Sequence, residues 1–328
     1  MCTPVFQGSI LSLVSEQKRP VALAVHGPVD TKEVVSGLAL ATLGAVAFSG
    51  KAIIVKLAYR YDVDAVTLIM YRMLFALPIF AAMAWWATYR RAGGRAPALT
   101  RQDWLGVLGL GFCGYYLSSF LDFAGLQYVT ASLERLILYL NPTFVLMLGW
   151  LLYRKRVVPI QVAAMVVSYA GVLVVFSHEI TLQGENVMLG ALLVLASAAS
   201  YAVYLVYSGE LVRRLGASRL VGLATMVACL CCILQFLVVR PLSAALVAPQ
   251  VIWLSILNAT LCTAVPVLLV MMAVERIGAA LAAQAGMVGP MSTILMGVLI
   301  LGEPFNAWIV VGTALVMGGV FLVSKYRT

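Results

Sequence analysis

Residues 126–176 read LQYVTASLERLILYLNPTFVLMLGWLLYRKRVVPIQVAAMVVSYAGVLVVF, and the chain states that stretch a second time. Residues 274–324, VERIGAALAAQAGMVGPMSTILMGVLILGEPFNAWIVVGTALVMGGVFLVS, align with it without a gap at an offset of 274 − 126 = 148. Pro142 falls on Pro290, Gly149 on Gly297 and Gly171 on Gly319, beside Ala131/Ala279, Leu133/Leu281, Leu151/Leu299, Val162/Val310, Val172/Val320 and Val175/Val323. In so apolar a composition, matched Leu, Val and Ala say little. The matched Pro and Gly say more, because those residues fix backbone geometry. The pattern is that of a duplicated membrane unit.

The rest of the chain agrees with a membrane setting. Hydrophobic residues make up 63% and charged residues 11%, with a mean hydropathy of +1.01, far from the composition of soluble domains. Ten apolar runs, near 36–57, 65–88, 104–124, 129–152, 157–177, 187–208, 219–239, 251–273, 277–301 and 307–325, are each long enough to cross a hydrocarbon core of ~30 Å as a helix. The first halves of the two units match more loosely, ALATLGAVAFSGKAIIVKLAYRYDVDA against LLVLASAASYAVYLVYSGELVRRLGAS. The fold class expected is therefore an all-α integral membrane protein. It divides into an N-terminal tail 1–35, a five-helix repeat 36–177, a linker 178–186 and a second five-helix repeat 187–325.

Basic residues orient it. Residues 1–35 lack the basic start and clean apolar core of a secretory signal and are expected to be a cytoplasmic tail. With that end inside, the inner segments carry Lys18, Arg19, Lys32, Arg90, Arg91, Arg95, Arg101, Arg154, Lys155, Arg156, Arg213, Arg214, Arg219, Arg276, Lys325 and Arg327, and the outer loops only Arg60 and Arg240. Sixteen against two places both termini in the cytoplasm. Five spans per unit is an odd number, so the second repeat inserts inverted. The formal charge of +9 is explained by topology, and nucleic acid is not an expected partner. Of the six cysteines, all but Cys2 fall in apolar runs, which argues against disulfides and a zinc site. Gly106, Gly109, Gly111 and Gly114 line one span and Gly312, Gly318 and Gly319 another, as close helix packing requires.

Three stretches resemble the EamA family of the drug/metabolite transporter superfamily: Tyr71-Arg72 within LIMYRMLFALPIF, the run TASLERLILYLNPTFVLMLGWLL, and MVGPMSTILMGVLILGEPFNAWIVVGTALVMGGVFLV with its Gly302-Glu303-Pro304 break. The resemblance spans roughly residues 36–325. It implies ten transmembrane helices in two inverted five-helix repeats, a central cavity open alternately to either side, and transport of small metabolites, often outward. The family commonly has an acidic residue after the fourth span as after the ninth, whereas here Lys155 stands opposite Glu303.

Ionisable groups inside spans face a cavity or a partner. Lys51, Arg72, Glu134 and Arg135 all fall roughly 8–10 Å below the outer surface at 1.5 Å per residue. Glu134, read as the one well-buried carboxylate, balances one of three cations and leaves the layer positive, which suits an anionic substrate. The alternative is that Glu134 staples helices by pairing with Lys51 or Arg72. A salt-bridged Glu134 would be a poor proton carrier near neutral pH. Tyr115, Tyr116, Tyr139 and Asn141 are expected on the cavity side, and Tyr201, Tyr204 and Gln284 in a matching uncharged inner layer. Pro142 and Pro290, at mid-span, are candidate hinges. His26 and His178 lie outside the spans, and no HExxH or GxxxxGK[ST] occurs, so no catalytic centre, metal or cofactor is expected. The expected protein is a multi-pass secondary transporter of the inner (plasma) membrane, with a small-molecule substrate of amino acid or organic anion type and the lipid bilayer as partners. A homodimer is compatible with it. A membrane scaffold or channel is the alternative, and an intramembrane enzyme the least expected.

Overall fold

A computed structural model describes residues 31–90, 98–154, 158–183 and 186–325. Among them every regular element is a helix. The chain forms α1 (Thr31–Tyr59), α2 (Ala65–Arg90), α3 (Arg101–Leu126), α4 (in two segments, Ala131–Leu138 and Asn141–Tyr153), α5 (Pro159–Gln183), α6 (Asn186–Leu215) and α7 (Ala217–Val239). After a short 3-10 turn at Leu242–Ala245 come α8 (249–277), α9 (279–301) and α10 (Ala307–Lys325). The helices α1 to α8 each contain a stretch long and apolar enough to cross a membrane, while the apolar lengths in α9 and α10, Val288–Leu301 and Ala307–Leu322, are shorter. α5 runs on through residues 178–183, where a linker was expected, because Glu179 on its last turns has a buried partner at Thr130.

The packing repeats as the sequence does. α1 lies against α8, α3 against α6, α2 against α7, α4 against α9 and α5 against α10. Exchanging the first five helices with the last five turns the α1–α8 contact into the α6–α3 contact and leaves each other pair in place. At the α5–α10 crossing the correspondence reaches single residues. A Cβ on Gly171 would stand 2.6 Å from the Gly312 carbonyl oxygen, and one on Gly319 would stand 2.5 Å from that of Ala164. Since 164 + 148 = 312 and 171 + 148 = 319, this is one contact made twice. Close approach of backbones supplies dispersion where lipid provides no hydrophobic drive between helices. Gly111 and Gly114 serve likewise against Ala224 and Tyr204, while Gly109 and Gly318 face open space.

Irregularities in the helices also recur. π-helical turns occupy Gly111–Leu117 in α3 and Thr260–Ala264 in α8, which overlap on a shift of 148, while a third, Gly297–Leu301 in α9, has no counterpart in α4. α4 is interrupted at Tyr139–Leu140, and α9 at Gly286–Met287. α4 ends in the left-handed region at Arg154 (φ 49°) and α9 at Gly302 (φ 73°), again 148 apart. Pro142 and Pro290, expected as mid-span hinges, stand beside breaks that divide their helices. Each sits in the first turn after an interruption, where the missing N–H has no helical partner to lose.

The two largest cores join most of the helices. Ile53, Val55, Leu68, Ile69, Met73, Phe80, Phe123 and Cys232 join α1, α2, α3 and α7. Leu133, Leu136, Ile137, Val175, Val194, Ile294 and Val316 join α4, α5, α6, α9 and α10. The charged layer lies between them.

Candidate functional site

Five ionisable side chains meet where α1, α2, α3 and α4 converge. Lys51 Nζ donates to Asp122 Oδ2 at 2.5 Å and stands 3.3 Å from Glu134 Oε1. Arg135 Nε is 4.0 Å from Glu134 Oε2 but donates to Thr293 Oγ1 at 3.0 Å, while its Nη2 donates to the Phe48 carbonyl at 3.3 Å. Arg72 Nε donates to Thr263 Oγ1 at 3.2 Å, on the π-helical turn of α8, and its guanidinium lies 5.1 Å from the Phe123 ring centre. Phe48 carries both Lys51 (5.6 Å) and Arg135 (5.3 Å) on its ring. All five are buried, from 0% exposed for Glu134 to 6% for Lys51 and Arg72.

Of the expected residues, Lys51, Glu134 and Arg135 are brought into contact, while Arg72 turns to Thr263 and Phe123. Glu134 is not the lone buried carboxylate: Asp122, 3% exposed, takes the shorter contact to Lys51. Three cations against two carboxylates leave a formal +1, not the +2 expected. Asp122 was legible as a charge inside an apolar run; standing four residues from the end of α3, it passes for an interfacial residue. Among the described residues Arg72 has no carboxylate within ion-pairing distance, and its Nη1 is buried without a hydrogen bond, as are Asp122 Oδ1 and both Glu134 oxygens.

Beneath this layer the two interruptions meet. Tyr139, at the break in α4, donates its hydroxyl to the carbonyl of Gly286, at the break in α9, at 2.9 Å. Asn141 Nδ2 donates to the Ala198 carbonyl of α6 at 3.1 Å, and Ser49 Oγ of α1 donates to the Gly289 carbonyl at 2.8 Å. Interrupted helices leave backbone groups without helical partners, and buried backbone needs them satisfied. Tyr139 and Ser49 meet part of that need across repeats.

Of the residues expected in an inner layer, Tyr201 and Tyr204 stand together, with Tyr115 beside them. Tyr115 and Tyr204 hydroxyls are 3.2 Å apart with their rings edge to face, and Tyr201 stacks on Tyr204 at 5.5 Å. Tyr115 therefore belongs with the inner tyrosines, not with the charges. Tyr116, the next residue on the π-helical turn, points elsewhere and packs on Phe112 at 5.1 Å. The side chain of Gln284 lies outside the described residues. A cavity of about 220 Å³ between α2 and α8 is lined by Phe80, Met83, Trp86, Ala264 and Leu268 among others, and holds no charged residue.

Above the charged layer, the N-terminus of α4 is closed by acids from two other elements. Glu303 accepts from Ala131 N at 2.7 Å, Ser132 N at 3.2 Å and Ser132 Oγ at 2.7 Å. Glu179 of α5 accepts from Thr130 N at 3.3 Å and from the Thr130 hydroxyl, which also caps Leu133 N at 3.1 Å. Carboxylates suit the positive end of a helix dipole, and these two satisfy its free N–H groups. Glu179 was hidden in sequence because it falls in the stretch read as a linker.

A family model described as the EamA-like transporter family matches residues 35–177 and 188–325, once per repeat. The chain belongs to that family. The family is part of the drug/metabolite transporter superfamily. A Bacillus subtilis (strain 168) protein named "Uncharacterized transporter YcbK" is 31% identical over 312 residues, covering 90% of this chain and 95% of its own. An Archaeoglobus fulgidus protein named "Uncharacterized transporter" is 26% identical over 166 residues, 50% of this chain and 54% of its own. A solved structure at 18% identity superposes with a TM-score of 0.58 over 90% of this chain and 100% of its own, a likeness of fold. This EamA-like chain is accordingly a multi-pass membrane transporter. Its Gly302-Glu303-Pro304 break has a structural role here, since the turn at Gly302 delivers Glu303 to the start of α4. Lys155, its counterpart across the repeats, lies outside the described residues.

Proposed function

We propose that the protein is a secondary transporter of the inner (plasma) membrane that moves a small metabolite carrying a carboxylate or comparable anionic group, of amino acid or organic anion type, outward by alternating access. Arg72 carries this reading. A guanidinium with no carboxylate partner and an unbonded buried Nη1 is a costly arrangement for a structural residue, and its charge equals the layer's formal excess of +1. A substrate anion would supply the missing partner. Lys51, by contrast, is held by Asp122 and fits the stapling role. The internal pairing of helices supports two half-units rocking against each other around this layer, with Tyr139 and Gly286 at the crossing where their interruptions meet.

Ten spans follow from the same reading. α9 counted through its interruption, residues 279–301, reaches ~34 Å, and the 19 residues of α10 reach ~28 Å at 1.5 Å per residue. Cytoplasmic termini and an inverted second repeat then put Lys155 and Phe305 on opposite faces. A cysteine placed at 305 should react with an impermeant thiol reagent in intact cells, and one at 155 only after the membrane is opened. Reaction of both from one side would end the inverted arrangement. The function itself is tested with labelled anionic, neutral and cationic metabolites in vesicles of known orientation. Saturable outward movement confined to the anionic set is expected, and movement of only neutral or cationic compounds would overturn the reading.

A further inference from the structure

We propose that Glu134 is a proton-binding site coupled to the anion site, so that one proton and one substrate anion cross the membrane together. The coupling rests on the anion reading above, and the proton site on geometry alone.

Glu134 is fully buried, and Lys51 and Arg135, though within ion-pairing distance at 3.3 and 4.0 Å, give their hydrogen bonds to other partners. Lys51 of α1 gives its hydrogen bond to Asp122 of α3 at 2.5 Å, and its 3.3 Å approach to Glu134 is not a hydrogen bond. Arg135, the adjacent residue on α4, spends Nε on Thr293 of α9 and Nη2 on the Phe48 carbonyl of α1. Arg72 of α2 turns to Thr263 of α8 and the ring of Phe123. The remaining titratable neighbours bring no cation: Tyr59 of α1 donates to the Phe123 carbonyl at 2.6 Å, and Cys262 of α8 is a free thiol. Both Glu134 oxygens and Asp122 Oδ1 are therefore buried acceptors with no donor. An ionised carboxylate without hydrogen bonds in such a place is strongly disfavoured. A single proton removes the difficulty twice. It neutralises Glu134, and as a carboxyl O–H it offers a donor to the orphaned oxygen of Asp122 across Lys51.

The charge count gives the coupling its sign. With both carboxylates ionised, Lys51, Arg72 and Arg135 against Asp122 and Glu134 sum to +3 − 2 = +1. With Glu134 protonated the sum is +3 − 1 = +2. An anion binds the +2 layer more tightly, and by linkage the bound anion raises proton affinity to the same degree. Proton and anion therefore load and leave together, and outward transport would be driven by the substrate's own gradient.

Infrared difference spectra of the purified protein in lipid nanodiscs, titrated from acid to mildly alkaline pH, read the proton directly and need no substrate. A carboxylic C=O band, shifted in D₂O, should titrate in the wild type and be missing in Glu134→Gln. Glu134→Gln should also accumulate and melt as the wild type does, since Gln reproduces the neutral form. A spectrum identical in the two proteins, or a collapse of Glu134→Gln abundance, would overturn the proton site. In proteoliposomes loaded with a pH-sensitive dye, with lactate, glutamate and succinate as probes, an alkaline shift should accompany anion exit from the lumen and vanish in Glu134→Gln. Anion movement without any pH change would overturn the coupling. A titrating Glu134 band in a protein that moves only neutral or cationic probes would leave the proton site standing and remove the anion reading instead.

Discussion

The double substitution Asp122→Asn with Glu134→Gln is expected to prevent the protein from accumulating, and adding Lys51→Met is expected to restore it in large part. Lys51 is 6% exposed, with carboxylates at 2.5 and 3.3 Å. Glu134→Gln alone leaves the Asp122 pair intact. Asp122→Asn alone leaves a carboxylate close enough to ionise and take over Lys51, so its loss should be intermediate. Removing both strands a buried ammonium, a change that costs about 3–5 kcal/mol. Stability is typically of order 5–15 kcal/mol in total, so such a loss is enough to empty the membrane of folded protein. Lys51→Met withdraws the stranded charge and keeps an apolar stem of similar length. The effects are thus non-additive in a stated direction, as expected of groups in contact. Membrane abundance and thermal melting of the four proteins measure it. A double variant no worse than the sum of its singles would show that Lys51 does not depend on this pair.

Arg72→Met is expected to abolish movement of anionic substrates while leaving abundance near normal. No carboxylate depends on Arg72 for its charge balance among the described residues, and its hydrogen bond to Thr263 is replaceable, because Thr263 Oγ1 also donates to the Asn258 carbonyl at 2.8 Å. Removing the partner of a buried, hydrogen-bonded anion costs about 2–5 kcal/mol, or roughly thirtyfold to several thousandfold in affinity. Arg72→Lys keeps the charge but not the planar fork, and should recover only part of the transport. Initial rates in vesicles at equal protein content separate the two. Normal anion transport by Arg72→Met would move the binding role to Arg135, the other guanidinium of the layer.

The acids that close the start of α4 bear on the same site. Thr130 accepts the Glu134 N–H at 3.0 Å, so the acids that close the start of α4 stand one helical turn from the proposed proton site. Glu303 and Glu179 arrive from the α9–α10 turn and from α5. The proposed motion of one half against the other would part Glu303 from α4, whereas Glu179 stands on α5 in the same half as α4.

Much of the architecture is local, and for that reason legible. Transfer of apolar residues into a bilayer adds up along the chain, so the runs appear in the sequence as runs. Pro142, Pro290, Gly171 and Gly319 mark the duplication because each constrains backbone or spacing wherever it stands, and the structure places interruptions and a Gly crossing beside them. That Lys51, Glu134 and Arg135 come together also agrees with counting residues, since a helix rises uniformly. Partner choice was not legible in this way. Asp122 takes Lys51 ahead of Glu134 by less than an ångström, Arg72 is left without a carboxylate, and Glu303 reaches a helix start 172 residues away. Electrostatic and hydrogen-bond energies change steeply over such distances, and the distances are set by how α1, α3, α4 and α9 pack. The sequence by itself determined a duplicated helical membrane protein with a few charges inside its apolar runs. Only the tertiary structure decided which of those charges pair with one another and which is left without a carboxylate among the described residues.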